Sequence, residues 1–250
     1  MSLAVNGNGN IKGWYYFLVV AAFGLFLGGC TTSMTESYTG GTANQETVKL
    51  DTKKARVVLI PLDIKLTELT VAGLEEPKAA WTEQARKHVT DGLTAALAEQ
   101  GLTLRPYKKP AKSTSLRRDE QLEKLHATVG GTILFHHYGQ MYRLPTKKGE
   151  MDWTLGATAR QMGGEQNAEF ALYVFLRDSY ATGGRKAAVV VSRILGGTTQ
   201  AGERVGFASL VDLRTGKIAW FNALYSDSGD VREAEPARKV VDNLLSGFPS

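Results

Sequence analysis

Hydrophobic and polar positions change rhythm several times along the 250 residues. Trp14 to Leu27 (WYYFLVVAAFGLFL) is apolar apart from two tyrosine hydroxyls and a glycine. Residues 31–54 are polar, rich in Thr, Ser, Gly and Asn, and lack the large apolar groups needed to fold alone. From Ala55 the pattern is that of a packed domain. Arg56 to Leu62 is a β-branched run closed by Pro61 and reads as a buried strand. Pro77 precedes a helical pattern over 78–100, with Trp81, Ala85, Val89, Leu93, Ala96 and Leu97 at helical spacing and Gly101 as its stop. Leu102 to Pro106 alternates like a short strand.

The middle of the chain is less decided. Leu122, Leu125, Val129 and Ile133 form a stripe that favours one helix over 116–138, although Gly130-Gly131 could divide a helix from a strand. Leu144 to Asp152 reads as a loop, and Trp153 to Met162 as a short helix stopped by Gly163-Gly164. Ala168 to Arg177 is a strongly apolar strand that belongs in the centre of a sheet. Gly183-Gly184 ends it. For Lys186 to Leu195, with Ala187-Ala188-Val189-Val190-Val191 at its heart, propensity favours a strand and connection geometry a helix. Arg204–Leu213 and Lys217–Tyr225, joined by Arg214-Thr215-Gly216, predict a hairpin. Val240, Val241, Leu244 and Leu245 give a last helix over 231–246 its apolar face. The fold class expected is α/β with an α+β tendency: a mixed sheet covered by helices, closing on a β-hairpin and a helix.

Charge and composition add little. The net charge is +5, and +4 once residues 1–29 are set aside, since Lys12 is their one charged residue. The basic pairs Lys53-Lys54, Lys108-Lys109, Arg117-Arg118 and Lys147-Lys148 are dispersed and lack interleaved aromatics, so no nucleic-acid partner is expected. The lone cysteine, Cys30, excludes an intrachain disulfide and a cysteine metal site. Its setting explains it. A positive flank, a short apolar stretch and small residues before a cut form an export signal. Fourteen residues of helix reach about 21 Å, short of the roughly 30 Å hydrocarbon core.

Leu27-Gly28-Gly29-Cys30 resembles a bacterial lipobox. The resemblance implies a diacylglyceryl group on Cys30, cleavage before it, and residues 1–29 as the signal peptide. Two or more acyl chains hold a protein on a membrane stably. Thr31 after the cysteine, by resemblance to enterobacterial sorting, implies the periplasmic face of the outer membrane. Residues 30–54 are then an acylated tether, and about 20 such residues reach roughly 25 Å. Residues 55–250 are the periplasmic domain.

The VVLIPL run, the long helix, AEFALYVFLRDSY and the closing SLVDLRTGKIAWFN hairpin with its helix resemble envelope lipoproteins built on the TolB amino-terminal-type α/β domain, the CsgG-PelC-LpoB type. The likeness runs from 55 to 249 in order of elements, with a helical or loop insertion near 110–150. It implies a fold and carries no catalytic motif.

Candidate chemistry is sparse. His136-His137 point in different directions on any element, and His88 and His126 are remote, so no metal site and no cofactor is expected beyond the lipid on Cys30. No P-loop, dinucleotide fingerprint or nucleophile elbow is present. Asp178, at the end of a central strand, is the candidate for a structural polar network with Arg185 or Arg177. Ala187, Val189, Val190, Val191, Ile194 and Leu195 are either core, a subunit interface or, by the family resemblance, a membrane hairpin. The reading favoured is a nonenzymatic accessory or assembly factor that binds another envelope protein or itself. An oligomeric export ring or pore component, and an envelope hydrolase, stand as alternatives.

Overall fold

A computed structural model describes residues 50–139, 142–195, 202–224 and 229–249. The lipobox residues Leu27, Gly28 and Gly29, and Cys30, lie outside them. The described chain is a mixed sheet with helices, of the α/β class. In order it runs β1 (Val57–Leu59), β2 (Asp63–Leu69), β3 (Glu75–Pro77), α1 (Ala79–Glu99), β4 (Arg105–Pro106) and α2 (Ser113–Ile133), which continues into a π turn at Leu134–Tyr138. Then come α3 (Ala159–Gln166), β5 (Phe170–Ala181), α4 (Gly183–Ile194), β6 (Arg204–Asp212), β7 (Ile218–Leu224) and α5 (Ala234–Leu244).

β5 is the axis of the sheet. One edge pairs antiparallel with β6 along Phe170–Asp178. The other edge is shared in parallel by β1, at Phe170–Leu172, and by β2, at Phe175–Ala181. β1 and β2 are two halves of one extended run. Pro61 lies between them and has no N–H to donate to the ladder, so the pairing lapses and resumes with one residue gained on that side. β3 extends the sheet beyond β2, β4 beyond β1, and β7 beyond β6.

The period-2 alternation of β5 divides the core. Leu172, Val174 and Leu176 join Ala85, Val89, Leu93 and Leu97 of α1 and Val240, Val241 and Leu244 of α5. Ala171 and Tyr173 face the other way, with Phe207 and Phe221, against Leu122 and Ile133 of α2 and Met162 of α3. A strand buried on both faces reads as a continuous apolar run, which is why AEFALYVFLR was legible as central.

Several expectations are corrected. Asp63–Leu69 and Glu75–Pro77 are strands that the apolar pattern does not announce. β2 buries Ile64 and Leu66 towards α1 but leaves Lys65 exposed on its other face. The strand expected at 102–106 contracts to Arg105–Pro106. The helix expected at Trp153–Met162 begins at Ala159, because Thr154 instead bridges Lys217 beside the hairpin. Gly163-Gly164 lie inside that helix. Gly163 lets it approach Leu213, and Asn167, with φ 49°, ends it.

Residues 113–133 form one helix, as favoured, but the stripe is displaced. Leu125 is exposed, and the buried line runs Ser115, Asp119, Leu122, His126, Gly130 and Ile133. It is half polar, so a search for apolar spacing misplaces it. α2 is a covering layer of the sheet and not a peripheral excursion.

In the hairpin, Gly216 has φ +78° and its α-carbon faces the Gly156 carbonyl so closely that no Cβ fits. Gly130 is as constrained, since a Cβ there would overlap the Phe207 ring. Its neighbour Gly131 faces open space. Gly130→Ala is therefore expected to destabilise the fold by about 1–3 kcal/mol through overpacking. Gly131→Ala is expected to stabilise it by up to about 1 kcal/mol through helix propensity. Urea unfolding of the two variants checks this, and equal effects would refute the packing argument.

Candidate functional site

α4 is the part of the domain whose construction its own stability does not explain. It begins where β5 ends: the Arg185 N–H is capped by the Thr182 hydroxyl at 3.1 Å, and the Lys186 N–H donates to the Thr182 carbonyl. β-branched valines would favour a strand, but both edges of β5 are already taken by β1, β2 and β6. A helix closes its own hydrogen bonds and needs no edge. Helix therefore wins over propensity for this segment.

The helix gives the body very little. Val189 is buried, at 4% exposure. Val190 and Val191 are 57% and 56% exposed, Ile194 and Leu195 78% and 79%, and Ala187 is exposed as well. Burial of the whole Lys186–Leu195 run in the core is thus corrected, and so is the place of Val189 among contact residues. The helix start abuts the turn between β2 and β3, where a Cβ on Gly184 would lie 2.7 Å from the Val71 side chain. Val71 and Leu74 in that turn are themselves 58% and 67% exposed. Together these side chains leave an apolar strip of the domain surface uncovered.

The expected partner of Asp178 is also corrected. Its carboxylate accepts from Nε and Nη2 of Arg204, at 2.9 and 2.5 Å, the residue directly opposite it on β6. The Arg185 guanidinium donates to the Val71 carbonyl at 3.4 Å instead. Arg177 points to the other face of the sheet, where it pairs with Asp63 at 2.8 Å and lies over the Phe175 ring. Burial raises the Asp178 carboxyl above its ordinary value, although Arg204 pulls it back. Alongside, Arg232 stacks over Tyr180 and Trp81 and chelates Asp230, whose carboxyl it holds below the usual range. Arg204 Nη2 also donates to the Tyr180 hydroxyl at 3.4 Å, so this network knits β5, β6, α1 and the loop before α5. Each acid faces its own arginine, which makes the arrangement a tie and not an acid–base pair.

An open groove of about 340 Å³ lies over β2, β5 and β6, lined by Lys65, Thr67, Glu75, Phe175, Arg177, Ser179, Glu203 and Val205, and reaching Asp178. It marks where the sheet runs past the cover of α2. Two of its charges are engaged, Arg177 with Asp63 and Glu75 with the Thr67 hydroxyl.

The histidines separate. His136 Nδ1 lies 2.6 Å from the Tyr142 carbonyl, His88 Nδ1 3.3 Å from that of Val231, and burial with Arg143 nearby lowers His137. No group of three or more metal-ligating side chains occurs among the described residues. His126 makes a contact the sequence did not reveal. Its Nε2 lies 2.6 Å from the Ser209 hydroxyl, and its ring stacks on Tyr173 at 4.6 Å. A serine beside a histidine is the start of a nucleophilic constellation. Here neither is reachable, with His126 2% and Ser209 0% exposed, so the pair fills and satisfies the core between α2 and β6. The same helix carries Arg118, clamped by Asp119 and Glu165, with the Tyr107 hydroxyl donating to Asp119. Such a polar line is invisible to apolar periodicity; the helical spacing of Ser115, Asp119, Leu122 and His126 was its only signal.

No helix among the described residues is long and apolar enough to cross a membrane. No family model, no curated protein and no solved structure matches this chain.

Two buried groups give opposite pH dependences. Burial lowers the His126 ring to about 3, below its ordinary value near 6.5. Its contribution to stability is complete above about 6.5 and is lost as pH falls towards 3, at up to about 1.4 kcal/mol per unit. Burial, with Asp63, Glu120 and Asp119 nearby, pushes Glu123 up to about 7. Its contribution is complete below about 4.3 and is lost as pH rises through 7. Between about 4.3 and 6.5 the slopes oppose; below that, His126 acts alone. Glu123→Gln should raise the melting temperature above pH 7, leave it unchanged near pH 4, and make acid loss begin near pH 6.5. Thermal unfolding across pH 3–8 tests this. A uniform offset at every pH would contradict it.

Replacing Asp178 by Asn should cost about 3–5 kcal/mol, because it breaks the buried ion pair with Arg204. A loss under 1 kcal/mol in urea unfolding would show that Asp178 does not hold Arg204.

Proposed function

We propose that this chain is a bacterial envelope lipoprotein, anchored through Cys30 to the periplasmic face of the outer membrane. Its α/β domain, of the TolB amino-terminal-like type, serves as a nonenzymatic accessory or assembly factor for an envelope or secretion complex. The observation that carries the reading is the uncovered apolar face of α4, with Val190, Val191, Ile194 and Leu195 each more than half exposed. A helix that turns its apolar face outward is suited to work by contact. The lipobox-like Leu27-Gly28-Gly29-Cys30 supplies the place for that contact. The order of elements, with helices on both faces of a mixed sheet and a closing hairpin and helix, supports the fold-level likeness. The covalent lipid is the only prosthetic group this reading requires.

Labelled palmitate should enter the parent protein and not Cys30→Ala. The parent should stay with membranes through a high-salt wash, and the variant should move to the soluble fraction. Crosslinking of the acylated protein in its own membranes should capture a protein of the envelope. Retention of Cys30→Ala on washed membranes without label incorporation in the parent would refute the anchor. Crosslinking that captures no protein would refute the accessory role.

A further inference from the structure

α4 is seated the opposite way round from α1 and α5. α1 and α5 turn their apolar residues to the sheet, whereas α4 gives the body Val189 and turns Ala187, Val190, Val191, Ile194 and Leu195 to solvent. At 3.6 residues per turn those five positions fall in one stripe about 140° wide. Gly183–Leu195 also carries Arg185, Lys186 and Arg193 and no carboxylate. A helix of low overall hydropathy, with one apolar stripe and basic charge alone, has the composition of helices that lie in a membrane interface.

We propose that α4 rests on an anionic phospholipid surface, that of the membrane bearing the anchor, with Val190, Val191, Ile194 and Leu195 at headgroup depth. This deepens the lipoprotein reading and rests on it. Charge selects lipid over a second copy. Two copies meeting through α4 would bring like charge together, since the helix carries basic residues and no acidic ones, while phosphate headgroups neutralise that charge. Area points the same way. Twelve residues of helix make a strip about 18 Å long and about 10 Å wide. A stable protein interface takes about 800 Å² from each partner. Val71 and Leu74 beside the helix start widen the strip but do not bring it to that size. Reach is the third argument. Cys30 stands twenty positions before Leu50, the first described residue. Twenty residues span at most roughly 70 Å even fully extended, so an anchored domain is never far from lipid. In this arrangement the anchor supplies affinity and α4 supplies orientation. The apolar strip is then seated on lipid, which leaves the rest of the domain surface for the envelope protein that the accessory role requires.

Cys30 is the only cysteine and its acylated sulfur is not a free thiol, so Ile194→Cys in the acylated parent gives the full chain one site for a polarity-sensitive fluorophore. The labelled chain is reconstituted into vesicles of phosphatidylethanolamine and phosphatidylglycerol, and into phosphatidylcholine vesicles for comparison. The emission should shift to the blue in the anionic vesicles. It should not shift for the same label at Lys87→Cys, an exposed position on α1. Lys186→Gln and Arg193→Gln should each lower the docked fraction, in docked-to-free ratio, about five-fold. Val190→Cys repeats the measurement should the label at 194 perturb the fold, which circular dichroism reports. No shift at either site overturns the proposal. So does a shift in lipid-free solution that grows with protein concentration, the signature of a second copy, and so does a shift that needs added envelope proteins. Palmitate incorporation reports on Cys30 separately, so failure of the anchor and failure of the helix contact are told apart.

Discussion

Everything in this domain is arranged around the double burial of β5. Its backbone is paired along both edges, by β6 on one side and by β1 and β2 in turn on the other. Its side chains are buried on both faces. Once this strand is in place, the even positions call for the α1–α5 layer and the odd positions for α2 and α3. The edges being full also decides what the next segment can be. A chain leaving Ala181 finds no free edge on β5, so the valine-rich run coils into α4 in spite of its β propensity.

The two layers on either side are built differently. α1 and α5 meet the sheet with aliphatic side chains, and Gly92 brings α1 against Val241 of α5. α2 meets it with a line of polar groups. The neutral His126 satisfies Ser209, Arg118 satisfies Asp119 and Glu165, and Gly130 makes room for Phe207. Buried polar groups are tolerable only when each finds a partner, and here each of these does. The polar side brings rigidity of register together with sensitivity to protonation. The apolar side brings most of the burial.

The polar groups that come together inside the domain are matched to one another. The carboxylates that come together at the end of β5 are each matched by an arginine. The serine and histidine that come together are sealed in the core. What remains turned outward is the strip on α4, beside the turn that carries Val71 and Leu74. In the proposed reading, an acyl anchor at Cys30 and such a strip together give a small domain one attitude at a membrane.

The sequence by itself determined the elements whose burial is simple. α1, β5, the β6–β7 hairpin and α5 follow from one-sided helical spacing, a two-sided apolar run, and a glycine where a positive φ is required. It also marked Ala187 to Leu195 as apolar and singled out Asp178 as a network member. Tertiary structure alone decided the rest, because the rest depends on neighbours distant in the chain. Whether residues 186–195 coil or extend depends on which edges of β5 are occupied. Whether their valines are core or surface depends on which face of α4 the body leaves uncovered. Whether Asp178 pairs with Arg177, Arg185 or Arg204 depends on antiparallel register, and register places Arg204 opposite it. The polar stripe of α2 gains its meaning only from Ser209, Phe207 and Glu165. Those partners arrive from other elements, and no spacing within the helix could name them.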